Sequence, residues 1–546
     1  MSKALVGGAF TMALCLLRAR AGRLARPPPS TLSSLSSLSA ASAARPVSSQ
    51  SRPLSPPRRP QVLVISGPTA VGKSALATTL CEQHVAAQAA RSGGGVGGGG
   101  VGGEIISADS VQVYKSLDIG SNKPSLAERA RVPYHLVDTH EPATDNCTAG
   151  DFVRAAWAAA ADVAARGRLP VVAGGTMMYL RWFVEGAPDA PRSDPAVCAR
   201  VRAALEPLRE AGDWEGGLAR LAAEDPARAA RLNRNDWYRL QRALEIAAAS
   251  AAEKSVATTT TAEAEAEVAG AAAASSAVAA AAAEEEEEEE EEDALANAAR
   301  ASFDLRCFFL VRDRLALNRA IDARCEAMVR RGLLRETAGL LAAGRLGPDC
   351  VAGRSIGYRQ AMEYLTKLGE LNARGGGDSG DSGAAAAAGP VAAAAAAAAA
   401  AAVVVVPPSH EEKVAAFSSF MVDFCGASRR YAKRQMTWYR GDRAFAWVAV
   451  DGAEGRAGAE AAVTAALALS EEGFAALLRS EEQQQLREAN KAGGARLKTY
   501  VTALELMQPG QESDLREVLR VADECAAQVV EAAAGGGGGG GNQAFY

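Results

Sequence analysis

The sequence predicts an α/β fold: a parallel sheet core interrupted by an α-helical insert and by low-complexity insertions. Three observations lead there. From residue 61 onward, apolar runs of strand length alternate with amphipathic helical stretches, the pattern of a parallel sheet covered on both faces. A glycine-rich loop, GPTAVGKS at 67–74, stands between the first strand and the first helix. Residues 195–246, by contrast, carry their apolar residues only at three- and four-residue spacing.

In order, QVLVIS (61–66) reads as a buried strand, KSALATTLCEQH (73–84) as a helix and EIISAD (104–109) as a strand. LPVVAGG (169–175) comes next as a strand and MMYLRWFVEG (177–186) as a helix. VRAALEPLREAG, GGLARLAAED and DWYRLQRALEIAAA fill the helical insert. FFLV (308–311) is a returning strand, and 317–341 reads as one amphipathic helix. Low-complexity tracts lie at 93–103, 247–300, 373–409 and the glycine-rich C-terminus; none can bury a core, and surface loops tolerate such length cheaply. The predicted organisation is therefore core over 61–194, insert 195–246, core again over 301–372, a basic helix within 410–448 and a helical or disordered extension 449–546.

The net charge of -5 conceals a basic protein, because nine consecutive glutamates (Glu284–Glu292) outweigh it. Nine cysteines without paired spacing and four histidines signal neither a disulfide framework nor a Cys/His zinc site. Residues 1–60 hold no Asp or Glu, but have Arg18, Arg20, Arg23 and Arg26 followed by a Ser-rich run. This is the composition of a transit peptide for a mitochondrion or chloroplast; a disordered leader in a cytoplasmic protein is the alternative. No stretch is long and apolar enough for a membrane span, so no membrane partner is expected.

Gly67, Gly72, Lys73 and Ser74 have the spacing of a phosphate loop, with Pro68, Thr69, Ala70 and Val71 between them, and the strand-before, helix-after context that the motif requires. This makes the sheet P-loop NTPase-like. Backbone amides and Lys73 would hold a polyphosphate, and Ser74 a Mg2+ ion. Asp109, just past a strand, could take a proton from a nucleophile or simply cap a helix.

GPTAVGKSALA and DSVQVYKSLDIGSNKP together resemble the tRNA dimethylallyltransferases, in a form similar to plant and algal members. VPYHLVD, AGDFVRAA, VVAGGTMMYLRWFVEG, RNDWYRLQRALEI, RSIGYRQAMEYL and SRRYAKRQMTWYR continue the resemblance in unbroken order over 61–448. It implies that the loop holds the diphosphate of dimethylallyl diphosphate, and that the C5 unit passes to N6 of the adenosine 3′ to the anticodon. By motif, Asp109 is the base, Thr176 approaches the reacting region, and Arg354 contacts pyrophosphate. The bland readings are a helix cap for Thr176 and a solvated side chain for Arg354.

The same resemblance assigns Asp109, Ser110, Val111 and Gln112 to the target base, and Tyr238, Arg239, Leu240, Gln241 and Arg242 to the anticodon stem-loop, beside Arg234. Residues 428–443 hold six basic residues against one acid, with Tyr431, Trp438 and Tyr439 interleaved. Arg429, Arg430, Lys433 and Arg434 there would neutralise tRNA phosphates. The expected enzyme is a monomer. Tyr134 stands where the family usually has a His, SNKP replaces TAKP, and no His comes after His410 to build a C-terminal zinc finger. A transferase prenylating free adenine nucleotides, a nucleotide kinase, or an RNA-binding protein with a vestigial loop remain the competing readings.

Overall fold

The computed structural model describes residues 59–91, 102–188, 195–258, 292–374, 408–451, 455–492, 497 and 500–535. The transit-peptide expectation thus falls almost wholly outside the described residues. In chain order the elements are β1 (Gln61–Ser66), α1 (Lys73–Arg91), β2 (Gly103–Ala108), α2 (Leu126–Arg131), β3 (Tyr134–His135), α3 (Ala149–Ala165), β4 (Leu169–Gly174) and α4 (Met177–Glu185). Next come α5 (Pro195–Glu210), α6 (Trp214–Glu224), α7 (Pro226–Ala229) and α8 (Trp237–Thr258). The remainder comprises β5 (Asp304–Val311), α9 (Arg314–Arg330), α10 (Leu333–Ala342), α11 (Tyr358–Arg374) and α12 (His410–Arg440). It closes with β6 (Ala446–Ala449), α13 (Gly455–Ala468), α14 (Glu471–Leu478), α15 (Glu481–Ala492) and α16 (Glu512–Gly535).

The six strands form one sheet in the order β3-β2-β4-β1-β5-β6. Every pairing is parallel, with Leu63 opposite Val171 and Val64 opposite Cys307. β2 and β4 are buried along their whole length and β1 from Val62 onward, as the continuous apolar runs demand of a sheet covered on both faces. α3 and α4 are held together by stacked rings, Trp157 on Phe183 at 4.1 Å and Phe152 on Tyr179 at 4.3 Å. β3 and β6 were not expected: two and four residues are too short for periodicity to register. Gln483 of α15 bonds both the amide and the carbonyl of Trp447, so this edge strand is satisfied there by a side chain.

The chain divides into two compact units, 1–186 with 295–546, and 187–294. The second is wider than the predicted 195–246 insert. Its own core is Val197, Val201, Leu205, Trp214, Leu221, Leu240 and Leu244, with Trp237 edge-on to Trp214.

Two expectations need correcting, and a third narrows. The helix predicted over 317–341 is two helices, because Gly332 adopts φ +105°, a conformation that glycine alone takes without strain. The Ala/Glu tract 247–300 is not wholly outside the fold: α8 runs on to Thr258, the chain is helical again over 292–302, and Ala296 is buried in the main core. The extension 449–546, expected as helical or disordered, is helical over α13–α16 and is part of the fold, since Val463, Phe474, Leu519, Ala522 and Ala526 all enter that core. Apolar residues at helical spacing, with alanines among them, bury these faces.

Candidate active site at the carboxyl edge of the sheet

β1, β2 and β4 end at one edge of the sheet, and the loops that leave those ends build the site. Ala108 lies opposite Gly174 in the ladder. A Cβ on Gly174 would come within 2.0 Å of the Ala108 carbonyl oxygen, so only glycine permits this approach. It brings Asp109, after β2, beside Gly175 and Thr176, after β4.

The 67–74 loop leaves β1 with Ala70 at φ +63° and Gly72 at φ +109°. Lys73 Nζ donates to the loop's own carbonyls, Gly67 O at 2.9 Å and Pro68 O at 3.0 Å. The amides of Ala70, Gly72, Lys73 and Ser74 donate to no protein group among the described residues. Those amides, at a helix N-terminus, are a receptor for an anion. Burial, and then the neighbouring Arg324 guanidinium, pull the Lys73 ammonium down to about 7, with Asp109 acting the other way. Ser74 is exposed at the start of α1.

Two residues with no role assigned from the sequence reach this loop, Gln435 among them although it lies within SRRYAKRQMTWYR. Arg324 of α9 donates from Nη1 to Thr69 Oγ1 at 2.8 Å. Its one sequence signal is a basic residue set within the buried stripe of Leu317, Ile321, Cys325 and Met328. Gln435 of α12, 1% exposed, accepts from the Thr69 amide at 2.9 Å and donates to Gly175 O at 2.8 Å. It therefore ties the phosphate loop to the end of β4. Tyr431 OH donates to the same Gly175 carbonyl at 3.0 Å.

Asp109 Oδ1 accepts from the Val111 amide at 2.9 Å. Thr176 precedes α4 but makes no capping bond with its side chain. Its Oγ1 instead accepts from the Ser110 amide at 2.9 Å, so Thr176 orients the turn that carries Asp109. Gln112 is committed internally: Ser107 Oγ donates to its Oε1, and its Nε2 donates to Ser121 O and Asn122 O. Val111 packs against the core. A polar cavity of about 200 Å³ runs from Ser74 past Ser107 and Gln112 to Asn122, Tyr134 and Arg331.

The loop after Asp109 is held by residues from the second half of the chain. Glu336 accepts from the amides of Asp118, Ile119 and Gly120, and Tyr358 OH donates to Glu336. Buried Lys123 donates to Tyr114 O, Asp118 and Asp138. RSIGYRQ is thus partly a structural motif, in which Gly357 turns the chain at φ +102° and Tyr358 is fully buried.

Arg354, Arg429, Tyr439 and Leu240 are not placed as the sequence led us to expect. Arg354 is exposed and donates to Asp349 O, making no bond with the loop; the arginine that does so is Arg324. Arg429 is not an RNA-facing cation: it is ion-paired with Asp322, which is buried, and lies over the Tyr500 ring. Tyr439, 1% exposed, is no stacking platform, and Leu240 is fully buried in the core of the helical unit. Gln241 and Arg242 bond to Glu245, and Arg239 pairs with Asp236. Tyr238, however, is 82% exposed. On α12, Arg430, Lys433 and Arg434 remain as an exposed basic face.

The family model described as IPP transferase matches residues 112–442. The tRNA dimethylallyltransferase 9 of Arabidopsis thaliana is 33% identical over 447 residues, covering 81% of this chain and 81% of that protein. The tRNA dimethylallyltransferase of Anaeromyxobacter dehalogenans is 34% identical over 391 residues, covering 71% and 95% respectively. A solved structure of a eukaryotic dimethylallyltransferase acting on tRNA covers 85% of this chain and 98% of its own, at 20% identity and a TM-score of 0.48.

Proposed function

The chain belongs to the IPP transferase family, and from that premise we propose that it is a tRNA dimethylallyltransferase, moving the dimethylallyl group of dimethylallyl diphosphate to N6 of the adenosine 3′ to the anticodon. One observation supports this most: Asp109, the phosphate loop and the β4 end, with its Thr176 hydroxyl, converge at one sheet edge, beneath a helix whose outer face is basic.

In this reading the four unpartnered loop amides, Lys73 and Arg324 receive the diphosphate. Lys73 exchanges its bonds to Gly67 and Pro68 for phosphate oxygens. The adenine amine is a weak nucleophile, so Asp109 accepts its proton as the N–C bond forms and the C–O bond to pyrophosphate breaks. The departing negative charge stays opposite fixed cations and amides. Thr176 acts at one remove, through Ser110, as a positioning residue.

No group of three or more His, Cys, Asp or Glu that could cage a metal exists among the described residues. The Ser74 hydroxyl, exposed at the start of α1 beside the loop amides, fits a Mg2+ ion arriving with the diphosphate: it would ligate that ion, which would neutralise charge on the leaving group. Arg430, Lys433 and Arg434 would contact the tRNA backbone. No helix among the described residues is long and apolar enough to cross a membrane. Import into a mitochondrion or chloroplast, on the composition of residues 1–60, and a monomeric state belong to the same proposal.

The test is transfer of label from dimethylallyl diphosphate, with Mg2+, to unmodified tRNA, with AMP and ATP as parallel acceptors. Label on tRNA alone is expected. Label on AMP or ATP would make the protein a nucleotide prenyltransferase, and label on none of them would overturn the reading.

A further inference from the structure

Beyond the phosphate loop, the same edge of the sheet holds two arginines without a counter-ion. Arg314 opens α9 and is 7% exposed, and its Nε is buried without a hydrogen-bond partner. No carboxylate pairs with it among the described residues. The adjacent Asp313 turns Oδ1 to the amides of Leu315 and Ala316, capping the helix. Arg440, the last residue of α12, also has a buried Nε with no partner and forms no ion pair among the described residues. Burial, then the charge of Arg440, hold the Arg314 guanidinium below its usual range.

Neighbouring guanidinium groups whose Nε atoms are buried and unbonded are costly unless something negative joins them. The carboxylates around them are engaged elsewhere: Asp451 is paired with Arg312, and Asp442, two residues past Arg440, accepts from the Ala444 amide and lies in the field of Arg181 and Arg487. The location is also specific. Arg314 stands three residues past β5, and the Leu310 carbonyl of that strand lies 2.9 Å from where a Cβ on Gly67 would be. Tyr439, immediately before Arg440, stacks on Phe309 of β5 at 4.6 Å. The pair therefore sits one strand over from the phosphate loop.

We propose that Arg314 and Arg440 form a second anion site, distinct from the 67–74 loop, that receives a phosphate group. Guanidinium forks match phosphate oxygens bidentately, and a phosphate between the two would satisfy both buried Nε atoms. The group has two possible sources: a backbone phosphate of the RNA acceptor, which rests on the proposed tRNA function, or inorganic pyrophosphate.

The experiment uses the full chain carrying Lys73→Ala, which removes the cation of the loop, alone and combined with Arg440→Gln or Arg440→Lys. Arg440 is chosen because it is the less buried of the two. Thermal unfolding is measured with and without inorganic pyrophosphate, and binding of an anticodon stem-loop RNA is measured across a salt series. If pyrophosphate raises the Tm of Lys73→Ala and Arg440→Gln abolishes that rise while Arg440→Lys keeps part of it, the site takes pyrophosphate. If pyrophosphate is inert but Arg440→Gln weakens RNA binding several-fold and lowers the salt slope by about one, with Arg440→Lys close to the parent, the site takes an RNA phosphate. If Arg440→Gln changes neither measurement, the proposal is overturned. Prenyl transfer is not read out, so an inactive chain could still show the pyrophosphate response.

Discussion

Arg324 Nη1 lies 2.8 Å from Thr69 Oγ1, so a helix from the second half of the chain places a guanidinium against the phosphate loop formed by the first. If that cation helps hold the diphosphate, Arg324→Ala should raise KM for dimethylallyl diphosphate about tenfold, roughly 1.4 kcal/mol. Arg354→Ala should change it much less. Steady-state kinetics on both variants decides which arginine serves the diphosphate.

Lys73, pulled down to about 7 by burial and Arg324, should regain its proton when a diphosphate arrives. At pH 8 binding is then accompanied by uptake of most of one proton, and affinity falls as pH rises above 7. Calorimetry in buffers of different ionisation enthalpy measures the uptake. Arg324→Met, which removes the like charge, should raise the Lys73 value and shrink the uptake; zero uptake in the parent protein would contradict the assignment.

Asp109→Ala should lower transfer to tRNA about a thousandfold, the scale of a lost general base, and leave stem-loop binding near the parent value. Thr176→Val should act more mildly, because it disturbs only the Ser110 turn. Turnover unchanged in Asp109→Ala would remove the base from its role.

The basic residues of α12 divide into two kinds. Arg430→Ala with Lys433→Ala should reduce the salt slope of tRNA binding by about two, since both are exposed. Arg429→Ala should instead cost about 3 kcal/mol of stability, because it leaves Asp322 buried without its cation. Denaturant titration and salt-dependent binding separate the two effects.

Glu104, inside β2, is held at about 2: burial works against its charge, but bonds from Arg166, His135 and Arg168 outweigh it. The folded value lies below the unfolded one of about 4.3. Its contribution to stability is therefore complete above that pH and is lost as pH falls toward 2. Glu104→Gln should be less stable at pH 7 and show a flatter decline in acid; parallel acid-unfolding curves would show that the cluster contributes nothing.

By itself the sequence determined the parts that depend on local order: the apolar strands β1, β2, β4 and β5, the phosphate loop between β1 and α1, and Asp109 at a strand end. Hydrophobic runs and glycine spacing are short-range signals, and they survive without the fold. It was silent on what long-range packing decides. Whether an arginine faces solvent or a buried carboxylate distinguishes Arg430 from Arg429, one position apart on the same helix, and 107 residues separate Arg429 from the partner that settles it. Arg324 and Gln435 reach Thr69 across 255 and 366 residues, and α16 enters the core through Leu519, Ala522 and Ala526. A side chain's partner is a property of which elements pack together, and only the tertiary structure brings those elements within bonding distance.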